Sequence, residues 1–100
     1  MDENTVRESA ETHAQATVER DYEVAGSYLT DDVKATVGEV MRAMPRRLTS
    51  AEIVNVDVSG SQALCSIRYA GEEGATTVES RWEDVDGRPM IVALDVVEKA

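Results

Sequence analysis

Few residues in this 100-residue sequence could carry out acid–base, nucleophilic or metal chemistry. The sequence contains one histidine, His13, and one cysteine, Cys65. A histidine can act as a general base near neutral pH, but a histidine beside an apolar helix stripe is more often a hydrogen-bonded part of the packing. One histidine and one cysteine are too few ligands for a zinc site. We therefore predict no metal and no cofactor, and we assign no catalytic residue.

The other reactive groups lie in the second half of the chain. Glu79, Arg81 and Asp95 are expected on one face of neighbouring strands. Two carboxylates beside an arginine could transfer protons if that face were enclosed, but such residues more often form cross-strand pairs on a solvated face. Cys65 is expected on the core face, where a cysteine behaves as a small hydrophobe, and no histidine or lysine adjoins it in the sequence.

Acidic residues outnumber basic ones by twenty to ten, which gives a net charge of −10. This charge repels nucleic acids and anionic membranes, since both are bound through Lys and Arg. The longest strictly apolar run, residues 90–94, is far shorter than a membrane span. The lone cysteine cannot form an internal disulfide, and the acidic N-terminal sequence is no secretory signal. We therefore predict a cytoplasmic protein that binds neither nucleic acid nor membrane.

The elements that position these residues follow from the spacing of apolar side chains. A capping box that begins at Thr5, followed by helical spacing, predicts a first helix over residues 5–20. Asp21 is placed to cap a short second helix. A third helix is predicted over residues 31–44, because its apolar residues recur with a helical period and Pro45 disfavours a helical conformation at the residue before it. The apolar stripe of this helix consists of Val33, Val37, Val40, Met41 and Met44.

The second half of the sequence alternates between apolar and polar residues, as antiparallel strands do. Strands are predicted over residues 52–58 and 63–69 and twice within residues 76–97, where Asp86-Gly87 marks a hairpin. A two-residue turn at Gly60-Ser61 would pair Val58 with Ala63, Val56 with Cys65 and Val54 with Ile67. A longer turn through residues 71–74 would set Ile67 opposite Val78 and Ala63 opposite Trp82. One face of the sheet then collects Val54, Val56, Val58, Ala63, Cys65, Ile67, Tyr69, Val78 and Trp82. We predict one α+β domain, in which three N-terminal helices pack on one face of a curved four-stranded antiparallel meander.

The turn of the last hairpin decides which side chains face the core. A two-residue turn at Asp86-Gly87 would place Glu79 and Arg81 opposite Leu94 and Val92. A three-residue loop with Gly87 as the bulge glycine would instead join the apolar residues of both strands, with Val78, Ser80 and Trp82 opposite Leu94, Val92 and Met90. A one-residue slip turns every side chain to the other face. We predict the three-residue loop, because it keeps the apolar face whole.

Two stretches resemble the nuclear transport factor 2-like superfamily, which includes ketosteroid isomerases and polyketide cyclases. HAQATVERDYEVAGSYLTDDV, residues 13–33, is similar to the first two helices of that superfamily, and VESRWEDVDGRPMIVALDVV, residues 78–97, is similar to its closing hairpin. The resemblance implies three helices followed by a curved antiparallel meander. Isomerase-like members carry their catalytic base on an additional hairpin where this chain has its third helix, so no catalytic residue is carried over.

The resemblance implies a small domain that binds a small molecule or a protein partner, and the departure from the isomerases favours a non-catalytic one. The alternative is a cyclase-, dehydratase- or isomerase-like enzyme that acts on an apolar small molecule between the helices and the sheet. Both the binding domain and the enzyme would need a cavity of roughly 300 Å³ or more to hold a drug-sized ligand. The residues predicted to line it are the more polar core-facing ones, His13, Tyr28, Cys65, Ser80 and Trp82.

The sheet face turned away from the helices predicts a homodimer, because a large exposed apolar patch would promote aggregation. The residues predicted for this face are Leu64, Arg68, Glu79, Arg81, Ile91, Ala93 and Asp95. A two-fold axis would set an arginine of one chain against a carboxylate of the other. Since two chains of net charge −10 repel each other, we expect the association to strengthen with salt.

Overall fold

The computed structural model describes residues 1–99. Over these residues the chain forms three helices, α1 (Glu3–Val18), α2 (Tyr22–Gly26) and α3 (Asp31–Ala43), followed by four strands, β1 (Leu48–Ser59), β2 (Gln62–Gly71), β3 (Gly74–Val85) and β4 (Arg88–Lys99). Each strand pairs antiparallel with the next, in one sheet of order β1-β2-β3-β4. The helices pack against this curved, unclosed sheet, which confirms the predicted α+β fold.

The helices are short and amphipathic. The longest, α1, has 16 residues, and none of the helices in residues 1–99 has the length and apolar character needed to cross a membrane. Their apolar residues face the sheet: Val6 and Ala10 of α1 and Val33 of α3 belong to the buried core.

Helix α1 begins earlier than predicted. Asp2 is its N-cap, since Asp2 Oδ1 accepts a hydrogen bond from the Asn4 amide at 3.3 Å and the Thr5 hydroxyl donates to Asp2 Oδ2 at 3.1 Å. An aspartate at this position satisfies a free amide and also complements the positive end of the helix dipole. The predicted capping box at Thr5 is therefore wrong, and Thr5 supports the true cap.

The segment after α2 is bound to the last strand. Helix α2 is capped by Asp21 as predicted, with Oδ1 at 3.3 Å from the Val24 amide. The Ile91 amide then donates to the Tyr28 carbonyl at 2.7 Å, and the Thr30 amide donates to the Ile91 carbonyl at 3.1 Å. These two hydrogen bonds fix the start of α3 against β4.

Helix α3 is tied to the sheet at both ends. It stops at Ala43, and Met44 is extended with ψ of 153°, as Pro45 requires. The Thr76 hydroxyl on β3 donates to the Ala43 carbonyl at 2.8 Å. Between these ends only Val33 is buried. The rest of the predicted stripe is half-buried or exposed, which leaves space beneath the helix.

A β-bulge alters the predicted register of the first hairpin. Val56 pairs with Cys65 and the neighbouring pairs nearest the turn are as predicted, but the register shifts between Ile53 and Asn55. Ile53 therefore takes the position opposite Ile67 that was predicted for Val54, and Val54 is 54% exposed. The second hairpin has the predicted register, with Ile67 opposite Val78 and Ala63 opposite Trp82.

The last hairpin closes in a two-residue turn, so the predicted three-residue loop is wrong. Asp86 and Gly87 have φ of 54° and 82°, the pair of positive values that a tight hairpin turn with Asp-Gly adopts. The extra residue lies inside β4 instead, at a bulge opposite Arg81 and Trp82. Trp82 pairs with Ile91 in the register that the two-residue turn sets, and beyond the bulge Arg81 pairs with Ala93 and Ser80 with Leu94. The turn therefore keeps its preferred geometry, and the bulge keeps the apolar residues of both strands on one face.

The core lies between α1 and the middle of the sheet. Its largest fully buried side chains are Trp82, Ile67, Ile91, Val6, Cys65 and Ser80. The small residues Ala10 and Ala14 on the inner face of α1 are also buried. Because small side chains allow close approach in a densely packed interior, α1 lies tightly on the sheet where α3 does not.

Candidate ligand-binding site

A cavity of about 540 Å³ lies between the helices and the sheet. Its walls are mainly apolar, and they come from all three helices and from β2, β3 and β4: His13, Thr17, Tyr22, Glu23, Ala25, Gly26, Ser27, Leu29, Lys34, Val37, Val40, Met41, Met44, Tyr69, Val78 and Leu94. The volume exceeds the roughly 300 Å³ that a drug-sized ligand needs. The interior is therefore open enough to accept a small molecule.

The cavity exists because α1 and α3 rest on different parts of the sheet. Helix α1 packs over β1 and β2, whereas α3 packs along β4. The bonds at Thr30 and Ala43 hold the two ends of α3 in place. Val37 and Val40, in the middle of α3, are only half-buried and line the cavity. The stripe on α3 is thus the outer wall of a cleft.

His13 is the most constrained polar residue in the wall. Its Nδ1 lies 2.9 Å from the Ala25 carbonyl oxygen, and since a carbonyl can only accept, Nδ1 carries the proton. Burial lowers the pKa of His13, although the hydrogen bond to Ala25 acts in the opposite direction. The ring is therefore neutral at pH 7, and its Nε2 is a hydrogen-bond acceptor.

The Nε2 atom of His13 is open to a ligand. It has no hydrogen-bond partner among residues 1–99, and in this part of the chain no unpaired side-chain nitrogen or oxygen is sealed from solvent. The ring edge is held by T-shaped contacts with Tyr28 and Trp82, with centroid distances of 5.9 and 6.2 Å. His13 thus presents one oriented acceptor in an apolar wall.

Thr17 and Tyr69 line the cavity beside His13. The Thr17 hydroxyl donates to the His13 carbonyl at 2.9 Å. Burial raises the pKa of Tyr69 to about 12, and a side-chain hydrogen bond with Thr17 acts in the opposite direction. The phenol therefore stays neutral at pH 7.

Of the five residues predicted to line a pocket, the structure places His13 at the cavity and the others behind it. Cys65, Ser80 and Trp82 are fully buried. Their polar atoms are hydrogen-bonded to one another: Trp82 Nε1 donates to Ser80 Oγ at 2.9 Å, and Ser80 Oγ donates to the Cys65 carbonyl at 2.9 Å. Burial also raises the pKa of Cys65 to about 11, so its sulfur is a thiol rather than a nucleophilic thiolate.

Tyr28 is also corrected from a pocket residue to a packing residue. Its ring contacts the Trp82 ring at a centroid distance of 5.9 Å, and the guanidinium carbon of Arg88 lies 5.0 Å from its centroid. Arg88 additionally donates to the Ser27 hydroxyl at 3.3 Å. Tyr28 thus lies between two rings and a cation, and it does not border the cavity.

Several wall residues were missed because their types suggest only packing. Val37, Val40 and Met44 were assigned to the apolar stripe of α3, and Tyr69 to the apolar face of the sheet. No signal in the sequence separates these residues from core packing. Sequence spacing does not reveal how far a helix stands from a sheet, and that distance created the site.

The outer face of the sheet carries six of the seven residues predicted for a dimer interface. Cross-strand rows run from Leu64 through Arg81 to Ala93, and from Ser66 through Glu79 to Asp95, with Arg68 on the same face of β2. The exception is Ile91, which is corrected here because its side chain is fully buried in the core. The two-residue turn, in place of the predicted three-residue loop, sets Ile91 opposite the buried Trp82 and so turns it towards the helices.

No recognisable metal site or relative adds to this description. Within residues 1–99 no three His, Cys, Asp or Glu side chains come together where they could hold a metal ion. In comparisons with known proteins the chain matches no family model, no curated protein sequence and no solved structure. The cavity and its walls are therefore the features of this chain that bear on its function.

Proposed function

We propose that this chain is a small non-catalytic domain of the nuclear transport factor 2-like superfamily that binds a small, largely apolar molecule. The observation that carries the proposal is the cavity of about 540 Å³ with mainly apolar walls. Cavities of this size and character are typical of small-molecule sites. The order of three helices and an antiparallel meander supports the superfamily, as do the two stretches that resemble it.

His13 gives the proposed site its polar specificity. Its Nε2 accepts hydrogen bonds and has no protein partner among residues 1–99. A ligand that carries a hydroxyl or N–H group satisfies this atom, whereas an ether or hydrocarbon of the same shape leaves it unpaired, at a cost of about 1–3 kcal/mol. We therefore expect apolar molecules with one donor to bind better than matched molecules without one.

Titration with dodecanol and with dodecyl methyl ether tests this function. We expect saturable binding of dodecanol to the wild type and binding of the ether about tenfold weaker, since a hydrogen bond of this kind is worth about 1.4 kcal/mol. In His13→Asn the amide nitrogen replaces Nδ1 and can still donate to Ala25, but the Nε2 acceptor is gone. We expect this variant to lose the preference, and absence of saturable binding of either probe would refute the proposal.

A second candidate function is that of a cyclase-, dehydratase- or isomerase-like enzyme. It is favoured by one observation, the neutral and oriented His13 with a free Nε2 in an apolar cavity, because such an atom can take a proton from a substrate. Mass spectrometry of captured ligands after prolonged incubation distinguishes the two functions. A ligand recovered unchanged supports the binding domain, and a ligand converted by the wild type but not by His13→Asn supports the enzyme.

We also propose that two copies associate through the outer face of the sheet. Glu79 and Asp95 lie directly opposite each other there, an arrangement of like charges that is unfavourable in a single sheet. Arg68 and Arg81 are exposed on the same face, and a two-fold axis would set them against the partner's carboxylates. Leu64, 37% exposed, adds apolar contact.

Light scattering tests the dimer at moderate salt. We expect a mass near twice 10.9 kDa for the wild type and a shift to the monomer for Arg81→Glu, which replaces attraction by repulsion. Arg88→Glu, away from this face, is the matched control. A wild-type mass of 10.9 kDa would refute the dimer.

A cytoplasmic location, supported by the free and buried thiol of Cys65, is a further part of the proposal that cell fractionation would test.

A further inference from the structure

A second pocket, of about 320 Å³, continues from the cavity between the end of α1 and the end of α3. The two spaces share four wall residues, which are Thr17, Tyr22, Met41 and Met44. The remaining walls of the second pocket are Val18, Arg20, Arg42, Pro45, Arg46 and Leu48. Three of these residues are arginines, and none of the ten wall residues is acidic.

This pocket is positively charged, whereas the chain as a whole is negatively charged. Twenty acidic residues and only ten basic ones are distributed over the sequence, yet three arginines meet here without a carboxylate. Like charges that share a small concave surface raise its potential and favour an anion. Arg42 and Arg46, near the C-terminal end of α3, also complement the helix dipole, but this does not account for Arg20, which comes from the other helix.

Arg20 is held towards the pocket by the way α1 ends. Its φ is 62°, its amide bonds the Thr17 carbonyl at 3.2 Å, and the next amide, of Asp21, bonds the Ala16 carbonyl at 2.8 Å. This is the Schellman arrangement, in which glycine is the usual residue at the left-handed position. The Arg20 side chain then reaches across to the segment after α3, where Nη2 donates to the Arg46 carbonyl at 3.4 Å.

We propose that Arg20, Arg42 and Arg46 bind the anionic end, a carboxylate or a phosphate monoester, of an amphipathic ligand whose apolar part lies in the cavity. The proposal rests on the proposed ligand-binding function and names the class of ligand. Guanidinium groups suit this role because their planar donors match carboxylate and phosphate oxygens. Met41 and Met44, shared by both spaces, give an apolar passage between the anion and the ligand body.

His13 and the arginines then select opposite ends of the ligand. A carboxylate has no proton to donate and cannot satisfy Nε2 of His13, so an anionic group is excluded from the far wall and directed to the arginine pocket. A hydroxyl can satisfy Nε2 but gains less from the arginines, since hydrogen bonds between ionised groups are the stronger ones. The two sites therefore respond to different probes.

Titration of the full chain with dodecanoate, dodecyl phosphate and dodecanol tests the arginine pocket, each below its micelle concentration. We expect at least one anion to bind about tenfold more tightly than dodecanol at low salt, with the difference shrinking as salt is added. The better of the two anions identifies the head group. Arg46→Gln and Arg20→Gln should each weaken anion binding about threefold to tenfold and leave dodecanol binding unchanged.

Arg47→Gln is the matched control, because it removes the same charge from the adjacent position and Arg47 does not line the pocket. Equal losses in Arg46→Gln and Arg47→Gln would overturn the site in favour of a diffuse charge effect. Anions that bind no better than dodecanol would also overturn it while leaving the proposed function intact. Failure of all three probes would instead refute the proposed function.

Discussion

The His13 ring lies between two regions that differ in whether their polar atoms have hydrogen-bond partners. Behind it lies a sealed layer, formed by Cys65, Ser80 and Trp82, in which the Trp82 Nε1 and Ser80 hydroxyl donors are paired within the layer. In front of it lies the cavity, where Nε2 of His13 is left open and the walls come from ordinary apolar residues. Cys65, Ser80 and Trp82 thus hold the fold together, and the cavity has mainly apolar walls with His13 as its oriented acceptor.

Truncating one large side chain in each region should produce the largest difference between them. Trp82 is fully buried, so we expect Trp82→Ala to lower the free energy of unfolding by about 3–5 kcal/mol, from lost burial and the cavity left behind. Met41 borders the cavity and is 40% exposed, so Met41→Ala should cost less than about 1 kcal/mol. Urea denaturation measures both, and equal losses would contradict the division into two regions.

Alkaline pH should destabilise the protein through two buried acids. Burial raises the pKa of Cys65 from 9.0 to about 11 and that of Tyr69 from 10.0 to about 12. Because the folded pKa values lie above the unfolded ones, this stability is complete below about pH 9 and is lost as the pH rises through the folded values.

Urea denaturation across this alkaline range, compared between wild type and Cys65→Ala, isolates the contribution of the sealed layer. We expect the variant to be less stable at neutral pH and its stability to fall less steeply above pH 9. Tyr69→Phe provides the same comparison for the cavity wall, where the fall should begin about one pH unit higher. Identical pH profiles for wild type and both variants would contradict the burial of these protons.

Acid should destabilise the boundary between the regions. Burial lowers the pKa of His13 below its ordinary value of 6.5, so the unfolded chain takes up a proton before the folded one does. The stability contributed by neutral His13 is therefore complete above pH 6.5 and declines as the pH falls below it. His13→Asn keeps the donor to Ala25 and cannot titrate. We expect its stability, measured by thermal unfolding, to change less than that of the wild type between pH 6.5 and acid pH.

The sequence predicted the elements well because each depends on local chemistry. The cap at Asp21, the end of α3 before Pro45 and the Asp86-Gly87 reversal all depend on a few adjacent residues. It failed where two local preferences competed. The turn favoured one register and the apolar face another, and the chain satisfied both with a bulge opposite Arg81 and Trp82, which spacing alone does not locate.

The candidate site was less predictable than the fold, for a physical reason. Polar type singled out His13, which the structure places at the cavity, but it also singled out Ser80 and Trp82, whose polar atoms are hydrogen-bonded inside the core. The walls of the cavity depend on how far α3 stands from the sheet, and that distance is set by hydrogen bonds at Thr30 and Ala43. These contacts are between residues far apart in sequence, and periodicity carries no information about them.

A matched pair of valine-to-alanine substitutions within α3 tests the difference between core and cavity with the smallest expected effect. Val33 and Val37 lie one turn apart, but Val33 is 4% exposed in the core and Val37 is half-buried at the cavity. We expect Val33→Ala to lower the free energy of unfolding by about 2 kcal/mol and Val37→Ala by less than about 1 kcal/mol, because a side chain that already borders open space leaves no new cavity. The effect on dodecanol binding should be reversed, with Val37→Ala weakening it about threefold, the value of a little less than one buried methylene. Urea denaturation and ligand titration on the same two proteins measure both effects. If Val33→Ala weakened binding more than Val37→Ala while both remained folded, the ligand would have to lie closer to the β4 end of the helix than the cavity does.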